Sequence, residues 1–330
     1  MSICLPRREF IAALGGAASW PLAARAQQPA MPVVGFLHQG TPEDNAFTAA
    51  AVRKGLSEMG YVEGRDVAIE YRWARNELDR LPELAADLVR RRVTVIVTPG
   101  TTPATLAAKA ATTSIPIVFS VGGDPVQFGL VASLNRPGGN LTGFTSMSLE
   151  LAAKRLGFLH ELLPRTTRFA ALIDMNNLYT DSEIADLRAA ASAIGRQIEI
   201  LTVSTSHDIE TAFASLAQKQ VSGLAVSASA FFTSRRVLFA TLAARHAVAT
   251  IYSDRRYTEA GGLMSYGTNT IDLYRQVGIY AGRILKGEKP ADLPVQLATK
   301  FEFVINLPTA RLLGIDVPPT LLAIADEVIE

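Results

Sequence analysis

The sequence predicts an α/β fold of two doubly wound, Rossmann-like lobes, on its length, its segment rhythm and the turn formers that interrupt that rhythm. At 330 residues the chain exceeds one ordinary core and suits two lobes of roughly 100–150 residues each. After Ala30, apolar runs of strand length alternate with longer segments of helical period, the pattern of a parallel sheet with right-handed crossovers. Clusters such as Asn135-Arg136-Pro137-Gly138-Gly139-Asn140 and Gly261-Gly262 punctuate the series.

The first strand, 32–38, is the near-continuous apolar run of a strand buried on both faces. Thr41-Pro42-Glu43-Asp44 then predicts a helix start, with a hydroxyl cap, an early Pro and acids at the positive end. Phe47, Ala51, Leu56 and Met59 mark its apolar side, and Gly60 ends it. The unit repeats as strand 67–71, helix 78–91, strand 93–98, helix 103–111, strand 115–120 and helix 125–134. Residues 141–145 read as a short extended crossing, the expected first interlobe hinge. A second set follows: helix 149–162, strand 169–174, helix 181–194, strand 198–203, helix 208–218, strand 223–227, helix 234–247 and strand 250–253. Residues 261–267 read as another crossing, before helix 271–285. The first lobe is thus expected over 31–142 plus about 268–300 and the second over 143–267. The tail, 301–330, carries one more strand (301–307) and a short helix (309–313) that pattern assigns to neither lobe.

The N-terminus reads as an export signal over 1–26. Arg7-Arg8 precede the apolar stretch from Phe10 to Ala24, and Ala24-Arg25-Ala26 places small residues before a cleavage point at Gln27. Pro6-Arg7-Arg8-Glu9-Phe10-Ile11 resembles the twin-arginine motif, with Pro6 and Ala12 in place of its usual residues. Gly15-Gly16 and Pro21 break a folded-domain helix, and the stretch is too short to span a membrane. A periplasmic mature protein is expected. Loss of Arg7, Arg8, Arg25 and Glu9 with the signal moves the formal charge from +1 to −1, which gives no electrostatic reason to bind nucleic acid. Cys4, the one cysteine, lies in the signal, so the mature chain has neither disulfide nor catalytic thiol.

In open α/β sheets ligands bind outside the carboxyl ends of the strands. Here those ends are followed by Gln39, Thr101 and Thr102, Asp124, Asn176 to Asp181, Ser229 to Phe232, and Asp254 to Tyr257. Two facing lobes would line one cleft with hydroxyls, aromatic rings and helix N-termini after Thr102, Asp124 and Asp181. Tyr179, Phe231, Phe232 and Tyr257 are placed to stack on a ring. The set suits an amino acid or aromatic carboxylate better than a sugar. Catalytic patterns are weaker. The four histidines are scattered, with only His38 at a strand end, and no nucleophile elbow, zinc-binding His-Glu-x-x-His or phosphate loop occurs. The predictions are therefore no enzyme, no cofactor and no metal.

Several segments together resemble the ABC transporter substrate-binding proteins related to tryptophan and tyrosine receptors. They are Val33-Gly35-Phe36-Leu37, Pro116 to Val126, Leu134 to Gly143, Gly261 to Gly267 and Ala281-Gly282-Arg283-Ile284-Leu285-Lys286-Gly287. The resemblance spans essentially the mature chain. It implies a type I periplasmic binding protein fold with a multi-strand hinge, a monomer that closes on a small molecule, and hand-over to an inner-membrane ABC permease. The cleft positions it implies are Thr101, Thr102, Ser120, Asp124, Asn176, Asp181, Ser229 and Gly267. At Asn176-Asn177-Leu178-Tyr179 the chain departs from the asparagine-proline turn usual there, so neither tryptophan nor tyrosine is carried over as its ligand. Other readings of the same cleft are a hydrolase-like periplasmic enzyme and the ligand-binding module of a sensory system.

Overall fold

The computed structural model describes residues 31–330 except 147, 149, 150, 178 and 179; the expected export signal, 1–26, and Tyr179 lie outside the described residues. The strands are β1 (Val33–His38), β2 (Ala68–Trp73), β3 (Val95–Thr98), β4 (Ile117–Val121), β5 (Leu141–Thr145), β6 (Arg168–Asp174) and β7 (Gln197–Val203). They continue with β8 (Gly223–Val226), β9 (Ala249–Tyr252), β10 (Met264–Thr268), β11 (Gln296–Leu297), β12 (Phe301–Asn306) and β13 (Glu327–Ile329). The helices are α1 (Ala46–Glu58), α2 (Leu81–Arg90), α3 (Thr102–Ala111), α4 (Leu151–Leu162), α5 (Thr180–Ala193) and α6 (Ser206–Leu216). After them come α7 (Ala230–Thr233), α8 (Arg236–Arg245), α9 (Arg255–Glu259), α10 (Thr270–Leu285), α11 (Leu307–Leu312) and α12 (Pro319–Ile324).

Two sheets result, ordered β11-β5-β4-β3-β1-β2 and β13-β12-β10-β9-β8-β6-β7. Every pairing is parallel except β10 with β12. The order in which strands are added reverses once in each sheet, between β1 and β3 and between β6 and β8, and these are the switch points at which such folds bind ligands. Both faces of each sheet are covered, as their parallel strands require. In the first sheet Val34, Phe36 and Val118 pack under Val52, Val277 and Tyr280, while Leu37, Ile96 and Phe119 meet Leu88, Ala104 and Ala108 on the other face. In the second, Leu172, Leu224 and Val226 meet Phe213 and Phe239, while Phe169 and Ile251 meet Leu156 and Leu159. Helices α1 and α10 touch backbone to backbone. A Cβ at Gly55 would lie 1.9 Å from the Arg275 carbonyl, and one at Gly278 would lie 2.1 Å from that of Val52.

Several expectations are corrected. Residues 125–134 form turns, not a helix: the Asp124 carboxylate takes the Val126 amide, and Gly129 at φ +63° turns the chain so that Leu130 and Val131 enter the core. No helix N-terminus therefore follows Asp124. The Thr41 hydroxyl and Asp44 bond each other and close a turn, so α1 begins only at Ala46. Residues 141–145 and 264–268 are not free crossings but sheet strands, β5 in the first sheet and β10 in the second. The chain leaves the first sheet beyond Thr145 rather than at 142/143, returns after Thr268, and crosses again between β11 and β12. The tail strands β12 and β13 extend the second sheet, with β12 antiparallel on β10. Shorter elements that the pattern did not predict are α7, α9, α12, β11 and β13.

Candidate functional site

The carboxyl ends of both sheets face one cleft of about 470 Å³. Its first-lobe wall comes from the loops after β1, β3 and β4. Gly100, at φ +72°, turns the chain after β3 and donates its amide to Ser120 Oγ at 2.7 Å; a Cβ there would meet the Tyr274 hydroxyl at 2.4 Å. Thr101 caps α3 by accepting from the Ala104 amide and donates its hydroxyl to Gln39 Oε1 at 2.7 Å, leaving the Gln39 amide hydrogens for the cleft. His38 Nδ1 accepts from the Gly40 amide at 2.9 Å, so Nε2 carries the proton. Burial first, and Arg256 second, lower its imidazole to about 3, and the ring is neutral at any physiological pH.

The second-lobe wall carries the charge. Asp174, the last residue of β6, accepts from the Asn176 amide at 2.9 Å and the Ser229 hydroxyl at 2.5 Å. Ser229 in turn caps α7 through the Phe231 and Phe232 amides. Arg235 lies 3.9 Å over the Phe231 ring, bonds Ser206 Oγ and the Phe231 carbonyl, and has its pKa lowered by burial. Asp254 caps α9 and grips Arg256 through two bonds of 2.7 and 2.8 Å. Burial works against the Asp254 charge, yet the Arg256 guanidinium holds its carboxyl below the usual range.

Besides the Thr270 hydroxyl, which donates to Asp254 at 3.4 Å, two side-chain contacts join the lobes across the cleft. The Arg256 guanidinium stacks 4.2 Å from the Phe47 ring of α1, and Arg236 lies 3.8 Å from Asp44. The charged lining is thus three acids and three arginines. Two pairs, Arg256 with Asp254 and Arg236 with Asp44, neutralise each other. Arg235 and Asp174, both on the second-lobe wall, form no ion pair among the described residues and remain as one positive and one negative group. Hydroxyls of Ser120, Ser146, Ser204, Thr268 and Thr270 complete a polar surround. Such a lining can hold a molecule that carries both charges.

Of the residues expected from sequence, Gln39, Thr101, Thr102, Ser120, Asn176, Ser229 and Phe231 line this cleft. Asp124, Asp181 and Gly267 are not among its lining residues. Asp124 caps a turn, Asp181 is exposed on the first turn of α5, and a Cβ at Gly267 would strike the Ser253 carbonyl at 1.9 Å, so its bareness serves strand packing. Phe232 and Tyr257 are buried in the second-lobe core, with Tyr257 stacked 4.4 Å from Tyr252, and are not among the cleft's lining residues. Sequence reading missed Asp174, Arg235, Arg236 and Phe47. An acid that ends an apolar strand is a usable signal for the first. The arginines were hidden inside an expected helix over 234–247. No group of metal-ligating side chains occurs among the described residues.

The sequence profile of the ABC transporter substrate binding protein family matches residues 44–329. The chain belongs to this family. A "Tyrosine-binding protein" of Clostridioides difficile (strain R20291) is 27% identical over 260 residues, 79% of this chain and 74% of its own. Among solved structures, a conserved domain protein of Vibrio cholerae superposes with a TM-score of 0.83 at 26% identity, covering 90% of this chain and 99% of the other. An ABC domain from Streptococcus pneumoniae in complex with L-Trp gives 0.81 at 24% identity, with 90% and 99% covered. The fold of this substrate-binding protein is the type I periplasmic binding protein fold expected from its sequence. No helix of the described residues is long and apolar enough to cross a membrane.

Proposed function

We propose that this protein is the periplasmic receptor of an ABC importer and that its ligand is an α-amino acid, held as a zwitterion. The observation that carries the ligand class is a pair of opposite charges on one wall that form no ion pair among the described residues: Asp174 for the ammonium and Arg235 for the carboxylate. The Phe231 ring beneath Arg235 offers an apolar or aromatic side chain a surface. Gln39, Thr101 and Ser120 close on the ligand from the first lobe when the hinge shuts, so that the closed state is populated by differential affinity. Export through a twin-arginine signal cleaved after Ala26 delivers a monomeric receptor, which hands ligand to an inner-membrane permease. The tyrosine and tryptophan binding of its relatives supports an amino acid, without fixing which one.

A thermal-shift screen tests this reading with amino acids, their deaminated acids and their decarboxylated amines. A ligand at about 100 times its dissociation constant adds ~2.7 kcal/mol to stability and raises the melting temperature. An amino acid is expected to shift it, while neither single-charge analogue does. If aromatic acids without an amino group bind equally well, the zwitterion reading fails and the ligand is an aromatic carboxylate.

A further inference from the structure

Behind the second-lobe wall, Arg155 of α4 is only 1% exposed. Its guanidinium reaches the segment by which the chain leaves the first sheet and the strand β10 that precedes its return: Nη2 donates to the Ser148 carbonyl at 3.2 Å and Nη1 to the Tyr266 carbonyl at 3.5 Å. The Thr268 hydroxyl, donating to the Ser146 carbonyl at 3.4 Å, ties the same two segments together. Glu183, in the first turn of α5, is equally buried at 1% exposure, and neither of its oxygens has a hydrogen-bond partner. Arg155 and Glu183 feel each other's charge but form no ion pair. A bare carboxylate in a dry interior is costly unless it is protonated or draws in a cation.

We propose that Glu183 is a positioning residue for hinge closure, acting through Arg155. When Glu183 is protonated, Arg155 stays on the first crossing at Ser148 and on β10 beside the second, as in this structure. When Glu183 is ionised, its carboxylate competes for the guanidinium and the crossings loosen. The groups that face Glu183 are few. Arg155 comes from α4, Asp174 from the end of β6 and Asp186 from α5 itself. From β7 the side chains packed on this side are the uncharged Ile198 and Ile200, while Glu199 is paired with Lys219. Burial first, against the opposing pull of Arg155 and with repulsion from Asp174 and Asp186, raises the Glu183 carboxyl to about 7. An acid raised in this way contributes stability that is fully present below its unfolded value and is lost as pH rises through its folded one. The stapled hinge is thus the low-pH form, and the loosening falls near neutrality.

The test is amide hydrogen exchange at Ser146, Ser148 and Tyr266 to Thr268, corrected for intrinsic rates, at about pH 5.5 and about pH 8.5, on either side of the Glu183 midpoint. In the wild type, protection at these amides is expected to fall about tenfold or more between the two conditions, while amides of the β1 and β6 cores hold theirs. Glu183→Gln, which cannot ionise, abolishes the difference, and Arg155→Lys, with one point charge for two acceptors, exchanges fast at both. An equal fall in Glu183→Gln, or no fall in the wild type, overturns the proposal. Should Glu183→Gln not fold, carbon-detected titration of the wild-type Glu183 carboxyl decides: a midpoint near neutrality is expected, and one in the ordinary carboxylate range overturns it.

Discussion

Phe47 and Arg256 face each other from opposite lobes, and their 4.2 Å stack is made only when the lobes are close. A desolvated cation–π contact of this kind contributes about 1–2 kcal/mol. Phe47→Leu keeps the apolar volume against Tyr274 but removes the ring's charge attraction. It is expected to raise ligand dissociation about 5–30-fold, with association little changed, as read by stopped-flow fluorescence. Asp174→Asn leaves the hydrogen bonds to Asn176 and Ser229 geometrically possible but removes the one acid of the cleft that forms no ion pair among the described residues. Calorimetric affinity for an amino-acid ligand is expected to fall at least about tenfold. His38 makes a separate point about pH. Its imidazole, lowered to about 3, lies below its unfolded value, so its contribution to stability is present above about 6.5 and is lost as pH falls toward 3. Its ring resonances are expected to stay constant from about pH 8 to about pH 5 in NMR titration, and movement in that range would show a charged, more open His38.

At the scale of elements, the two glycines between α1 and α10 set how close those helices lie. Gly278→Ala would place a methyl carbon 2.1 Å from the Val52 carbonyl, where only a shift of one helix could relieve it. We expect a loss of about 3 kcal/mol or more, visible as a lower denaturant midpoint. Gly157 in α4 makes the contrast. A Cβ there meets nothing within 4 Å, so Gly157→Ala is expected to stabilise by about 0.5–1 kcal/mol through helix propensity alone.

For the whole molecule, three passages between the sheets form the hinge, so closure must bend all three together. Small-angle scattering is expected to show compaction when an amino-acid ligand saturates the cleft, and unchanged scattering would exclude closure on the ligand.

The sequence by itself determined the local and the periodic. Runs such as Val33 to His38 are legible because a parallel strand covered on both faces must be apolar throughout. The loops holding Gln39, Thr101 and Ser229 were legible because the sheet's direction fixes which end faces a ligand. Gly129 and the Asp124 turn defeated the helix expected over 125–134, because a side chain competed for the backbone donors. Tertiary structure alone decided what depends on partners distant in sequence. Residues 301–307 read as a strand, but only β10 could place it in the second sheet. Arg235 and Arg236 look alike in sequence, and only the approach of Asp44 from the other lobe gives Arg236 an ion pair, while Arg235 bonds Ser206 and the Phe231 carbonyl instead. Charge compensation is set by distance in space, which no local pattern encodes.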